Sequence, residues 1–340
     1  MTERKLATIR VISGIKFIEG ADKICAYIID GWEVVDQIYK YNVGDLVIYL
    51  EIDSWVPHTL VPFLSRGKEP RCYKGISGER LKTARLKGQI SQGLILPLNT
   101  ADNKTYNIDD DITEYLGIIK WEAPEPKEPS AQLSGMTKGT FPSFIPKTDQ
   151  ERIQNCMREV NAQGYQIWEV TEKLDGSSMT VYRTKDSFGV CSRNQELKLE
   201  DNANAFVLAA ERLLLENKLA LYNLEVALQG ELIGPGIQGN KYKLDKHMFY
   251  VFDIYDLNKK AYLDADTRQL ICKVLNLNHA PTCSNYLTNT DTKIQDLLSF
   301  AEGTSELNIN AEREGVVFKN TVNPSKSFKV ISNKWLMNNE

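Results

Sequence analysis

The sequence predicts an α+β protein of two domains, a β-rich N-terminal module and a C-terminal domain of antiparallel sheets with flanking helices. The chain has 340 residues, which is long for one hydrophobic core. Short strand patterns crowd the first part, and mixed helix and strand patterns fill the second. Between them, the stretch 121–146 contains five prolines and has the composition of a linker. We therefore expect domains at 1–120 and 147–340.

The predicted N-terminal strands share β-branched and aromatic residues and are bounded by Gly, Asp or Pro. They lie at 6–12, 25–29, 32–35, 43–50 and 93–98. Asp30-Gly31 is a hairpin signal between the second and the third. Several short strands with such turns favour a small barrel or sandwich.

The C-terminal domain is predicted to open with a helix. Thr148-Asp149-Gln150-Glu151 has the form of a capping box, and apolar residues follow it at helical spacing. The remaining helices are expected at 203–221, 265–276 and 291–302. Strands are expected at 167–171, 179–182, 224–228, 249–254, 315–318 and 327–331.

Composition excludes several classes of protein. With 42% hydrophobic and 25% charged residues, the chain is typical of soluble globular proteins. No apolar run is long enough to span a bilayer, and the N-terminus lacks the apolar core of a signal peptide, so we expect an intracellular protein, cytoplasmic or nuclear.

Six scattered cysteines without a C-x-x-C pair predict reduced thiols and no zinc site. The net charge of −4 disfavours bulk attraction to nucleic acid but allows a local basic groove.

Lys173 is the strongest functional candidate. It lies in Glu172-Lys173-Leu174-Asp175-Gly176, a K-x-D-G segment between two predicted strands. A lysine there can attack a nucleotide phosphate if its pKa is lowered from the usual value near 10.4 by a metal or by neighbouring cations. The alternative is an ordinary solvated turn.

Further polar and aromatic residues follow Lys173 in a definite order. An arginine, a Gly-Glu pair, an aromatic strand, an E-G-V-V-F-K segment and two closing lysines come in turn, each with an ordinary structural explanation when taken singly. Their positions are Arg193, Gly230-Glu231, 249–254 with Phe252, Glu314–Lys319, Lys326 and Lys329.

Together these motifs resemble the covalent lysyl-nucleotidyltransferase superfamily of polynucleotide ligases and mRNA capping enzymes. With a barrel-like module placed first, the chain resembles the Deinococcus-type ATP-dependent RNA ligases. That resemblance implies an N-terminal OB fold and an ATP-grasp-like ligase domain. It further implies that RNA 3′-hydroxyl and 5′-phosphate ends are sealed through lysyl-AMP on Lys173 and RNA-adenylate, with nicks carrying ribonucleotides on the 3′-hydroxyl side as substrates. A monomer is expected.

The resemblance also implies roles for the site residues. ATP and Mg²⁺ or Mn²⁺ are the expected cofactors, with Glu314 as the metal ligand. Asp175 supports the turn and the later sealing steps, and Lys329, more than Lys326, neutralises the α-phosphate. The nucleotide contacts are expected from Glu172, from Glu231 at the ribose, from Arg193 at the ribose or RNA end, from Phe252 at adenine and from Arg152 at the leaving phosphates.

A basic stretch at 66–88 is a candidate RNA contact. We expect the phosphate contacts from Arg80, Lys82, Arg85 and Lys87, since OB folds bind nucleic acid through their loops. The alternative is a solvated basic loop.

Three other functions remain open at this point. A DNA ligase or a capping-type guanylyltransferase would share the lysine chemistry. Both are disfavoured because they usually carry an OB domain after the catalytic one, whereas this sequence ends about ten residues beyond Lys329. A non-catalytic RNA-binding protein is the alternative from another class.

Overall fold

A computed structural model describes residues 4–102, 104–122 and 136–339. The chain divides into two compact units, one of Met1–Pro124 with Leu336–Glu340 and one of Glu125–Trp335. Much of the linker expected at 121–146 lies outside the described residues, and its last part contains a strand, Thr137–Thr140. No helix in the described ranges is long and apolar enough to cross a membrane.

The first unit is built from twelve short strands among its described residues. They are β1 Ala7–Val11, β2 Gly14–Phe17, β3 Ile24–Ile29, β4 Trp32–Gln37, β5 Leu46–Leu50, β6 Ser54–Pro57, β7 Arg71–Tyr73, β8 Ile76–Arg80, β9 Ala84–Leu86, β10 Gln89–Ser91, β11 Leu94–Pro97 and β12 Ile119–Lys120. The strands form the sheets β1-β5-β11, β2-β3-β4, β12-β6-β8-β7 and the hairpin β9-β10. Alternate residues of β1 and β5 turn toward an apolar core that includes Ile9, Ile48 and Leu50.

The second unit pairs two sheets with helices. Its strands are β13 Thr137–Thr140, β14 Glu151–Arg152, β15 Gln166–Lys173, β16 Ser177–Arg183, β17 Phe188–Cys191, β18 Gln195–Leu197, β19 Val226–Ile233, β20 Met248–Asp256, β21 Ala261–Tyr262, β22 Asn278–His279, β23 Thr282–Thr288, β24 Gly315–Asn320 and β25 Ser327–Ile331. Its helices are α1 Ile153–Ala162, α2 Ala205–Arg212, α3 Leu215–Leu221, α4 Ala265–Val274 and α5 Ile294–Ala301, and α6 Asn333–Asn339 follows near the chain end.

The two sheets of this unit carry separate apolar cores. The larger sheet has the order β13-β18-β17-β16-β19-β20-β21, with β22 beside β20, and packs on α2 and α3. The smaller has the order β14-β25-β24-β15-β23 and packs on α1 and α5. In the smaller sheet one face is apolar, with Trp168, Phe318 and Phe328 in its core. By alternation the opposite face carries Lys173 and Lys329.

Two local predictions are wrong. The capping box does not form: Glu151 and Arg152 pair with β25, and α1 begins only at Ile153, with no side-chain cap. The Glu151 carboxylate accepts from the Asn155 amide instead. The helix expected at 203–221 is two helices, because Leu214 adopts a left-handed conformation between α2 and α3.

Candidate active site

The turn that carries Lys173 is tied to two other segments. β15 ends at Lys173 and β16 begins four residues later. In between, the backbone N–H of Asp175 donates to the Tyr242 hydroxyl at 2.7 Å. The N–H of Gly176 donates to Oε1 of Glu231 at 3.1 Å. These bonds hold the strand end in place before any ligand arrives.

Two glycines let neighbouring backbones approach this turn. A Cβ on Gly176 would lie 2.5 Å from the Leu232 carbonyl oxygen of β19. A Cβ on Gly315 would lie 2.1 Å from the Val330 carbonyl oxygen of β25. Both distances are far inside van der Waals contact, so any side chain would move the strands that bring the acidic residues to Lys173.

Three carboxylates surround the Lys173 ammonium. Glu314 precedes β24, whose first residue pairs with Lys173, and its Oε2 lies 2.7 Å from Lys173 Nζ. Burial acts to lower the pKa of Lys173, but Glu314, then Glu231 and Asp175, stabilise the ammonium, and the pKa is raised overall. Burial in turn raises the pKa of Glu231 to about 8, although Lys173 opposes this.

This charge balance corrects the expectation that neighbouring cations lower the pKa of Lys173. Lys326 Nζ lies 3.3 Å from Gln163 Oε1, in the loop before β25. Lys329 Nζ lies 3.4 Å from Asp149 Oδ1. Neither lysine outweighs the three carboxylates, so Lys173 is held as an ammonium.

A second group of charges lies around Asp149. Lys329 is in β25, where it pairs with Arg152 of β14. The other oxygen of Asp149 lies 3.9 Å from the exposed Arg193 guanidinium. Asp149 thus links Lys329 with Arg193, and it was missed as a site residue because the sequence suggested a helix cap there.

Two further residues predicted for the site are Phe252, which lies in β20, and Glu172, which lies in β15 next to Lys173. Phe252 is half-buried in β20. Glu172 follows strand alternation to the face opposite Lys173, where its carboxylate accepts from the Glu306 N–H at 2.8 Å. Its Oε1 is buried without a hydrogen-bond partner within the described ranges. Burial raises the pKa of Glu172.

Lys241 is a site residue that the sequence did not reveal. It comes from the loop between β19 and β20, and its ammonium forms an ion pair with Asp175. The same ammonium lies 4.8 Å from the Trp335 ring centroid. The only local signal was a lysine in a glycine-rich loop, because the partners of Lys241 are distant in sequence.

The acidic residues fit a hard divalent cation only in part. Carboxylate oxygens are the donors that Mg²⁺ and Mn²⁺ prefer. Within 4–102, 104–122 and 136–339, no group of three or more His, Cys, Asp or Glu is placed to hold a metal. A metal at Glu314 would therefore complete its coordination with phosphate oxygens and water.

The cations of the basic stretch at 66–88 are of two kinds: Arg80 makes contacts within the fold, whereas Lys82, Arg85 and Lys87 are exposed. The Arg80 guanidinium stacks 3.6 Å from the Trp121 ring centroid and bonds to Asp53 at 3.0 Å. Lys82, just before β9, is exposed, and the β9–β10 hairpin exposes Arg85 and Lys87. These three cations point to solvent, whereas Arg80 is part of the fold.

Comparison with known proteins agrees with this geometry. A family model described as RNA ligase matches residues 166–331, and an OB-fold domain model matches residues 6–98. Three similar solved structures are of Naegleria gruberi RNA ligase: a mutant with AMP and Mn, another with ATP and Mn, and a form with PPi. Each is 44% identical and covers 98% of this chain. The match covers 99%, 99% and 98% of the three Naegleria gruberi chains, with TM-scores of 0.85, 0.85 and 0.84. The comparison with curated proteins gave no match.

The fold and site thus define a nucleotidyltransferase-type ligase domain that follows an OB-fold module. The chain belongs to the RNA ligase family. The predicted fold class and the family resemblance are both confirmed.

Proposed function

We propose that the protein is an ATP-dependent ligase that joins an RNA 3′-hydroxyl to a 5′-phosphate through lysyl-AMP and RNA-adenylate. The observation that carries this proposal is the Lys173 amine at a strand end, 2.7 Å from Glu314 and facing Glu231. The ATP, AMP, Mn and PPi named for the similar structures support the same nucleotide chemistry. We further propose nicks with ribonucleotides at the 3′-hydroxyl side as substrates, and action as a monomer.

The first step forms a bond between Lys173 Nζ and the α-phosphorus of ATP. The bond from that phosphorus to the bridging oxygen breaks, pyrophosphate leaves, and the nitrogen loses a proton. In the second step a 5′-phosphate oxygen of RNA attacks the same phosphorus, and the lysine nitrogen leaves and regains a proton. In the third, the 3′-hydroxyl oxygen attacks the 5′-phosphorus and loses its proton, the bond from that phosphorus to the AMP oxygen breaks, AMP leaves, and the phosphodiester is made.

Glu314 controls whether Lys173 can begin this sequence. As long as its carboxylate holds the ammonium, the nitrogen has no free lone pair. A divalent cation, when bound, supplies positive charge to the phosphate oxygens and to Glu314. With such a cation at its carboxylate, Glu314 would stabilise the ammonium less, which would lower the pKa of Lys173 and favour the amine.

The other residues act by binding and orientation. Glu231 is proposed to hold the ribose hydroxyls, and the exposed face of Phe252 to hold adenine. Lys329 neutralises the α-phosphate, and Arg152 beside it in the sheet contacts the leaving phosphates. Arg193, exposed and near Asp149, contacts the ribose or the RNA end.

Three more proposed roles complete this set. Lys326, in the loop before β25, is available to the phosphates of ATP or RNA. Glu172, whose side chain lies on the far face of β15, is proposed to act on the nucleotide pocket only indirectly, by fixing the strand that carries Lys173 through its bond to the Glu306 N–H. Asp175, paired with Lys241, supports the turn and the sealing steps.

RNA contacts in the OB module are proposed for Lys82, Arg85 and Lys87. Exposed cations in and just before the β9–β10 hairpin can reach phosphates without breaking contacts of the fold. Arg80, which the sequence placed with them, is assigned a structural role at the end of β8, because Asp53 and Trp121 already hold its guanidinium.

Labelling with α-³²P-ATP tests the proposed chemistry. Wild-type protein with Mg²⁺ or Mn²⁺ should retain label on a denaturing gel, and Lys173→Ala should retain none. A nicked duplex with a 3′-ribonucleotide should then chase the label into RNA-adenylate and AMP. Lys185→Ala, an exposed lysine in the same unit, is the matched control.

The rival functions give different outcomes in the same assay. Label from GTP alone would indicate capping chemistry, and sealing of all-DNA nicks at equal rate would indicate a DNA ligase. Binding of RNA with no label from any nucleotide would indicate a non-catalytic RNA-binding protein.

A further inference from the structure

The aromatic strand β20 contains a β-bulge at Phe252. Its register with β19 runs from Gln229 opposite Asp253 to Gly230 opposite Val251, which leaves Phe252 as the extra residue. A bulge bends its strand and re-aims the side chain that it carries, and it takes peptide groups out of the ladder. The position of the Phe252 ring therefore depends on whatever holds the bulge in shape.

One lysine from the facing sheet contacts the bulge at three points. Lys319 is in β24, and its ammonium donates to the carbonyl oxygen of Phe252. The same nitrogen lies 2.6 Å from Oδ1 of Asp253 and 5.4 Å from the centroid of the Phe252 ring. The lysine thus satisfies a bulge carbonyl, neutralises the next side chain and covers one face of the ring.

Lys319 belongs to a buried and electrically balanced group. Lys319, Asp253, Arg268 and Glu169 are between 1% and 5% exposed and supply two cations and two carboxylates. Arg268 pairs with Glu169 and also donates to His279 Nε2 at 2.9 Å. Burial and Arg268 lower the pKa of His279 to about 4, so this ring is neutral. Stability alone is a weak reason for such a group, since apolar residues can often replace buried ion pairs without loss.

We propose that Lys319 is a positioning residue for the nucleotide: its ammonium fixes the Phe252 bulge so that the uncovered ring face meets the base. This inference rests on the proposed function and adds a residue that does not itself touch ATP. Without the ammonium, the bulge carbonyl loses its donor and the ring loses the cation behind it. Base stacking should weaken, whereas the reacting groups around Lys173 stay in place.

The test separates positioning from stability. Lys319→Met leaves the buried group with two carboxylates and only the Arg268 cation, which lies 4.0 Å from Asp253. The informative variant is therefore Lys319→Met/Asp253→Asn, which removes one cation and one carboxylate. It should fold, with KM for ATP in the labelling step raised about 10-fold, the scale of one base–aromatic stack. The labelling rate at saturating ATP should stay within about 3-fold of wild type, as expected for lost uniform binding. Lys185→Met is the surface control.

A double-mutant cycle supplies the readout that a purely structural role would not give. In a Phe252→Leu background, the added pair of substitutions should raise KM little further, because the ring that Lys319 positions is gone. Equal increases in both backgrounds, or a folded double variant with wild-type KM, would overturn the proposal. Loss of the fold would assign Lys319 a structural role and overturn it too. Absence of label in wild-type protein would instead defeat the proposed function.

Discussion

At the scale of single residues, the charge state of Lys173 depends on three carboxylates that compete for it. Glu314 contacts it directly, and Glu231 and Asp175 act through space. An amine held in this way is protected as an ammonium until the charge around it changes. Under the proposed function, this would keep Lys173 inactive as a nucleophile until a ligand changes the charge around it.

Glu231 should make folding stability depend on pH. Its pKa rises from an ordinary 4.5 to about 8 in the folded protein, so the folded state keeps a proton that the unfolded state releases. Stability from this group is present below pH 4.5 and is lost as pH rises through about 8. Relative to wild type, Glu231→Gln should gain about 3 kcal/mol between pH 5 and pH 8.

Denaturant unfolding at both pH values measures this difference. The amide side chain of the Glu231→Gln variant would retain an oxygen that accepts from Gly176, so the turn stays intact. Glu216→Gln, on the exposed surface of α3, is the control. Parallel pH profiles for wild type and Glu231→Gln would contradict the prediction.

Lys329 and Lys326 should differ in their effect on the first chemical step. Lys329 is in a strand beside Arg152, whereas Lys326 is exposed in the preceding loop. A cation held at fixed geometry stabilises developing charge better than a mobile one, so Lys329→Ala should slow single-turnover labelling about 100-fold. Lys326→Ala should stay close to wild type. The reverse order would assign the α-phosphate to Lys326.

At the scale of elements, the β9–β10 hairpin should contribute electrostatic affinity for RNA. Lys82→Ala/Arg85→Ala/Lys87→Ala should weaken binding to a nicked duplex and reduce the slope of log Kd against log salt by about 3, as expected for three lost phosphate contacts. Arg80→Ala should instead lower the melting temperature, because its guanidinium stacks on Trp121.

Binding titrations at several salt concentrations check this prediction. Lys16→Ala/Lys23→Ala/Lys40→Ala removes the same charge from other exposed positions of the first unit. If both triple variants lose affinity equally, net charge and not the hairpin is responsible.

The elements themselves were largely predictable, and the exceptions have local causes. β25 matches the expected 327–331, because its alternation is regular and buried on one face. The helix expected at 203–221 failed at Leu214, whose left-handed backbone no hydrophobic pattern announces. The capping box failed because pairing of Glu151 with Phe328 competes with a helix start. That pairing is a contact across almost 180 residues of chain.

At the scale of the whole molecule, the proposed nucleotide residues all lie in the second unit. Arg152, Lys173, Glu231, Phe252 and Lys329 are within Glu125–Trp335, which has its own apolar cores. A fragment of residues 136–340 should therefore take label from ATP. It should bind RNA less tightly than the full chain, since the exposed hairpin cations are absent.

Labelling and RNA binding by the fragment and the full chain measure both parts of this expectation. Circular dichroism shows whether the fragment is folded. A folded fragment that takes no label would show that the first unit is required for the nucleotide step.

The sequence by itself determined the fold class, the order of the motifs and the chemical groups of the site. These follow from local patterns. Strands can be predicted from the alternation of apolar and polar residues, and the lysine, the glutamates and the cations were indicated by their positions at the ends of those strands. Only the tertiary structure showed that carboxylates raise the pKa of Lys173 and that the Arg80 guanidinium is stacked on Trp121. It also showed that Lys241 and Lys319 contact residues of the site. Charge state and positioning depend on neighbours in space, and residues such as Lys319 and Asp253, which are 66 positions apart in sequence, come into contact only in the folded chain.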